Sequence, residues 1–223
     1  MSENEKFHVQ RHADREVVDR VDIERLLDSQ YVAHVGFIDP DVNQPFVIPM
    51  GFARDSNRIL IHGSTGSRMM MAIAKGIDLC VTVTQLNAIV VARSAFNSSM
   101  NYESVMIFGK ARVLTDDEKY VALEKISEKL IPGLWDYGRP MTKKESAATT
   151  IVELSLDKVS AKSRIGEPSD DEEDVQLPLW AGILPLTTTL GAPITATNAV
   201  AASVRLVGNL VARGVARHSG PWI

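Results

Sequence analysis

A single cysteine, Cys80, stands in a chain of 223 residues, so no internal disulfide can form and covalent stapling has no part in this fold. It lies in the apolar run 79–83, where a small thiol reads as core filling rather than as a nucleophile. Aromatic residues are scarce at 6%, and 24 basic against 28 acidic residues leave a formal charge of −4. No basic stripe interleaved with aromatics occurs, so nucleic acid is not an expected partner. No stretch reaches 18 apolar residues and the N-terminus has no apolar core; neither a membrane span nor secretion is expected, and the cytoplasm is the predicted compartment. No two histidines are spaced as metal ligands beside a Cys or carboxylate, and no Gly-x-Ser-x-Gly elbow is present. Zinc and nucleophilic hydrolysis are therefore not expected.

What is present is ordinary globular composition, 45% hydrophobic and 23% charged, in a length that can bury one sizeable core. Asp55-Ser56-Asn57 is turn chemistry between two β-branched and aromatic runs, and predicts a hairpin of 45–54 with 58–62. Further strands are expected over 31–38, 78–84, 88–92, 104–114 and 149–161, with Gln85-Leu86-Asn87 breaking the pair 78–84 and 88–92. Helices are expected over 22–29 and over 67–75, where Met69, Met70, Ile73 and Ala74 form an apolar stripe. A third should open at Thr115, which makes a capping box with Glu118, and end at Pro132-Gly133. Six or so short strands with few helices favour a closed or nearly closed antiparallel barrel. The acidic run 168–174 reads as a solvated loop. The tail beyond Thr187 carries Arg205, Arg213 and Arg217 but no acid, and Val200, Val204, Val207 and Val211 recur at helical spacing. Such an apolar face needs the barrel, a second subunit or, with weaker support, a membrane surface against it.

The segment Ile61-His62-Gly63-Ser64-Thr65-Gly66-Ser67-Arg68 joins a strand to a helix through small and hydroxylated residues. Amides at a helix start lack intrahelical partners and lie at the positive end of its dipole, which suits an anion. Arg68 adds a planar fork for a phosphate, and His62 borders the same turn with a donor in either tautomer. The spacing is neither a Walker A loop nor Gly-x-Gly-x-x-Gly. A second segment, Ser94 through Gly109, packs hydroxyls and amides just before a strand.

These segments have an order. A strand ending Ile48-Pro49-Met50-Gly51-Phe52 is followed by the turn at 61–68, by Ser99-Met100-Asn101-Tyr102-Glu103-Ser104-Val105 with Gly109, and by Trp180-Ala181-Gly182-Ile183-Leu184-Pro185-Leu186. Over about residues 10–186 the chain resembles the FMN-binding split-barrel proteins related to pyridoxamine 5′-phosphate oxidase, in particular their nitroimidazole-resistance-like, flavin-nucleotide-binding branch. Members often read His-His-Ser-Met-Asn-Tyr-Arg-Ser-Val where this chain has Asn97-Ser98-Ser99-Met100-Asn101-Tyr102-Glu103-Ser104-Val105. Two histidines and an arginine are thus replaced.

The resemblance implies a mainly β, antiparallel split β-barrel with peripheral helices over 1–186, FMN as cofactor, and a homodimer with flavin at the subunit interface; the valine spacing makes 187–223 a partly helical tail. The resemblance also implies that backbone at Ile48, Pro49 and Met50 meets the isoalloxazine edge. Ser64, Ser67 and Arg68, with His62 beside them, would hold the phosphate, and Ser99, Tyr102 and Ser104 would place polar groups near the flavin. His34 and Trp180 are the candidates bordering substrate. The activity implied is that of an FMN-dependent oxidoreductase on a small organic substrate, nitroreductase-like or related to pyridoxamine-phosphate oxidation; the other class is a non-catalytic flavin-binding module for storage, sensing or delivery. Pyridoxamine phosphate oxidation proper lacks the extra basic residues that a second phosphate needs.

Overall fold

A computed structural model describes residues 9, 11–189, 191, 192, 194, 196 and 197; the helix expected from Val200 to Val211 lies outside them. The turn at Asp55-Ser56-Asn57 forms, with Ser56 at φ 54, and joins β2 (Gln44–Asp55) to β3 (Arg58–Ser64). Before it run α1 (Arg20–Ser29) and β1 (Val32–Asp39), and after it come α2 (Arg68–Ala74), β4 (Asp78–Val91) and β5 (Ser99–Lys110). Then follow β6 (Arg112–Val113), α3 (Asp116–Leu130), α4 (Leu134–Tyr137), α5 (Lys143–Ala148), β7 (Thr149–Ser155), β8 (Val159–Arg164) and β9 (Gly182–Pro185). The strands make one antiparallel sheet in the order β6-β7-β3-β2-β1-β4-β5-β8, with β9 added to β4. It is a half-barrel, and its hollow holds the main core: Val35, Phe37, Phe52, Ile59, Ile61, Val81, Val83, Val105 and Ile107, closed by Leu26 and Leu27 of α1 and Met69, Met70 and Ile73 of α2.

Four expected strands change shape. Residues 78–92 are not two strands but one, because Gln85-Leu86-Asn87 is absorbed as a register shift between Leu86 and Ala88 against β5, a bulge that bends the strand without ending it. Residues 149–161 are two strands, since a turn at 156–158 sends β7 to β3 and β8 to β5, on opposite flanks of the sheet. The strand expected from 104 begins at Ser99. The segment around Trp180 supplies β9: β1 occupies one edge of β4 at 79–82 and β9 extends that side at 88–91.

A second, smaller core lies on the convex side. Ala53, Leu60, Leu114 and Ile151 meet Ala122 and Ile126 of α3 there. The capping box of Thr115 and Glu118 starts that helix as expected, and Gly133 follows its end at φ 82.

Candidate functional site

Between β2 and the corner where β3 becomes α2, the half-barrel has a gap. β2 is registered with β1 along 44–51, whereas β3 is registered with β2 only at 52–55. Ile48, Pro49 and Met50 therefore have a strand on one side only. Gly63 holds the other wall close: a Cβ there would come within 2.8 Å of the Met70 methyl.

The corner itself is built from named bonds. Thr65 is tied to the α5–β7 junction, its N–H donating to Ala148 O at 2.9 Å and its hydroxyl to Ala147 O at 3.1 Å. Ser67 N–H donates to Ser64 O at 2.9 Å, and Ser67 Oγ accepts from Met70 N–H at 3.3 Å to cap α2. The amides of Gly66 and Arg68 have no hydrogen bond among the described residues. Arg68 itself turns toward Asp39, 3.5 Å away, and lies over the Phe46 ring at 4.8 Å. Asp39 is buried, and nothing in the sequence marks it as that partner. His62 stands on the same face of β3 as Ser64; its Nδ1 is buried without a hydrogen-bond partner, and burial pushes its pKa below the usual histidine value. A neutral imidazole with an unspent nitrogen thus borders the corner.

Away from the gap, the convex face carries the remaining candidates in register. Val35, Val81 and Val105 point inward, so His34, Thr82, Thr84, Ser104 and Tyr102 point outward. His34 pairs with Pro49 on one side and Thr82 on the other, while Ser104 pairs with Thr84 and Tyr102 with Leu86. The surface around them is apolar and exposed at Val32, Ile38, Val47 and Met106.

Two candidates lie elsewhere. Ser99 is registered against Val90, and Trp180 packs against Gly182, whose partner is Val91. From Thr82 to Val91 the strand runs roughly 30 Å at its ordinary rise. Within one chain, then, Ser99 and Trp180 form a far cluster and the others a near cluster, which extends along β5 to Tyr102, three residues or roughly 10 Å from Ser99. Phe96 is 94% exposed at that far end.

The acidic run 168–174 is exposed at Asp171, Glu172 and Glu173 as expected of a solvated loop, and departs from that expectation at Asp170. The Asp170 side chain is 5% exposed and pairs with Arg93 at 2.7 Å, also accepting the Arg93 N–H. The partner lies 77 residues away, out of reach of any local pattern. Lys162 donates to Arg11 O and Arg164 to Asn101 Oδ1, both on β8 and not at the corner. Among the described residues no cluster of three or more His, Cys, Asp or Glu is placed to hold a metal, and no helix is long and apolar enough to cross a membrane.

The profile of the pyridoxamine 5′-phosphate oxidase family matches residues 19–163. A flavocytochrome from Azotobacter vinelandii is 36% identical, covering 88% of this chain and 91% of its own, with a TM-score of 0.83. An FAD and heme binding protein from Mycobacterium smegmatis is 38% identical, covering 88% and 98%, with a TM-score of 0.83. A Bacteroides thetaiotaomicron protein assigned to 5-nitroimidazole antibiotic resistance shares the fold at 20% identity and a TM-score of 0.53, over 66% of this chain and 86% of that one. No curated protein matches. A match spanning well over half the chain, and two relatives above one-third identity along nearly its whole length, establish that the chain belongs to the pyridoxamine 5′-phosphate oxidase family of flavin-binding split-barrel proteins.

Proposed function

We propose that the protein is an FMN-dependent oxidoreductase acting on a small organic substrate, a homodimer with a flavin at each subunit interface. Residues 1–186 form the flavin-binding domain, and 187–223 a tail that packs on the barrel or the partner. The observation that carries the reading is the gap beside Ile48, Pro49 and Met50, next to a corner with two unspent amides and the partnerless His62 Nδ1. A buried polar atom without a partner costs about 1–3 kcal/mol, and a phosphate or ribityl oxygen at the corner would satisfy it.

Bound flavin would supply the hydride and electron chemistry. The chain would supply position: Ser64, Ser67 and the Gly66 and Arg68 amides for the phosphate, the one-sided edge of β2 for the ring's polar edge, and Tyr102 and Ser104 on the convex face. Arg68 would leave Asp39 to join them, a small movement for a side chain that is 54% exposed. A two-fold axis gives the far cluster its place. Isologous pairing sets patch i of one copy on patch j of the other, twice over, so Ser99 and Trp180 of each chain would complete the near cluster of its partner.

The relatives named as a flavocytochrome and as an FAD and heme binding protein support a second reading of the cofactor, FAD with a heme, for which His34 or the neutral His62 would offer an imidazole. Releasing the pigment by acid and separating FMN from FAD, with a search for a Soret band in the intact protein, decides between them. Anaerobic mixing with NADH, NADPH or reduced deazaflavin, then with an acceptor panel, tests activity. His34→Ala and Trp180→Ala are expected to retain flavin within about tenfold, or 1.4 kcal/mol, yet to change reduction or reoxidation rates. Kinetics equal to free flavin across the whole panel would make the protein a carrier or sensor.

A further inference from the structure

A cavity of about 430 Å³ opens where α1 passes into β1, walled by Ser29, Gln30, Tyr31, Gln85, Leu86 and Leu186; its other four lining residues are threonines. That is within the usual size of small-molecule sites. No lining residue carries Lys, Arg, His, Asp or Glu chemistry, so a charged group here would meet no counter-charge. The polar wall is ordered by its own bonds. Gln30 Nε2 spends both hydrogens, on Ser29 Oγ at 3.1 Å and Gln85 Oε1 at 2.9 Å, and Ser29 Oγ donates to Leu26 O at 2.8 Å. Gln85 Oε1 lies 3.2 Å from Ser29 Oγ as well. What remains is an acceptor, Gln30 Oε1, and a donor, Gln85 Nε2, on amides bonded to each other. The complement of that pair is a group with a donor and an acceptor side by side: a carboxamide or a cyclic amide. Tyr31, Leu86 and Leu186 supply apolar surface for the ring that carries it.

The cavity's position gives it a use. Thr84, one of its threonines, is Ser104's register partner and stands two residues along β4 from Thr82, His34's partner, about 7 Å at strand rise. We propose that this cavity is a second-ligand subsite beside the flavin, taking an uncharged ring that bears a carboxamide or cyclic amide held by Gln30 and Gln85. The placement beside the flavin rests on the function proposed above; the chemistry of the subsite does not.

The test is a titration of the purified full-length protein with nicotinamide, followed by ligand-observed NMR and by the flavin absorption band, with nicotinate and pyridine as controls. Nicotinamide is expected to bind at least tenfold more tightly than either control and to shift the flavin band. Gln85→Met is expected to weaken nicotinamide at least tenfold. Leu186→Trp, which fills the space and removes no side-chain hydrogen bond, is expected to abolish binding with the thermal midpoint retained. Equal binding of nicotinate, or nicotinamide binding unchanged in both variants, would overturn the subsite, as would binding with no shift in a flavin-loaded protein. A preparation that takes up no flavin but still selects nicotinamide would overturn the flavin reading and leave the subsite standing.

Discussion

Glu103 stands where the family pattern often has arginine, and its surroundings explain how a carboxylate is held there. It is 5% exposed, pairs with Arg25 of α1, and accepts from Asn87 Nδ2 at 3.4 Å. The hydrogen bond that Arg25 donates to Glu103 in turn raises the Arg25 pKa. The pair thus ties α1 to the bulge of β4, and removing Glu103 leaves Asn87 Nδ2 without this acceptor while Arg25 keeps Asp22 at 3.6 Å. Glu103→Ala is expected to cost about 1.5–3 kcal/mol, toward the lower end because Arg25 is half exposed, read as a lower urea midpoint with flavin content per folded chain unchanged. His62 sets a pH dependence. Its native pKa lies below the ordinary value of about 6.5, so below that pH the unfolded chain binds a proton that the folded chain resists. Stability should fall as pH drops through about 6.5 and be indifferent to this group above it. Flavin-free His62→Gln should show a flatter loss between pH 7 and 5 than the flavin-free parent. The carboxylates of Glu118 and Glu145, hydrogen-bonded by Arg112 and Arg139 and held down to about 2, titrate below that window.

At the scale of elements, β4 does the most. Its first half lies between β1 and β5 and its second half between β9 and β5, so one bulged strand carries both the near face and the far cluster. The loop that leads into β9 is anchored rather than loose, through Arg93 and Asp170. Cutting that tether should free the loop while leaving the sheet intact. Arg93→Ala is expected to speed proteolytic nicking within 166–177 several-fold, with the thermal midpoint lowered by only a few degrees. Unchanged nicking would mean that the loop is held by its other contacts, among them Asn97 to Asp171 at 3.2 Å.

The whole molecule sets His34 and Trp180 roughly 30 Å apart along β4, at strand rise from Thr82 to Val91. Light scattering should give about twice the 24.5 kDa chain mass. If each site draws on two chains, Arg68→Ala and Trp180→Ala act in trans. Co-expressed with different tags and isolated as a mixed dimer, the two variants should yield one site with both defects and one with neither. Flavin should then be reduced at the parental rate in half of the sites. No parental phase in the mixed dimer would place Arg68 and Trp180 in the same chain's site.

The sequence by itself determined the family, the cofactor class and most elements, because those signals are local: turn chemistry at 55–57, the capping box at Thr115, the hydroxyl-rich corner at 61–68, and the pattern around Tyr102. It missed what depends on partners distant in the chain. The bulge at Leu86 reads as a break, since a bulge and a turn use the same residues and only a continuous partner such as β5 tells them apart. The division of β7 from β8 was invisible because alternation persists across the turn, and because Ile151 faces the convex core while Val152 and Leu154 face the hollow. Arg68 could be read as a phosphate ligand, but its partner Asp39 and the ring of Phe46 are set by how β1, β2 and α2 meet. Tertiary structure alone decided that His34 and Trp180 stand at opposite ends of one strand, since register, not sequence order, fixes which side chains share a surface.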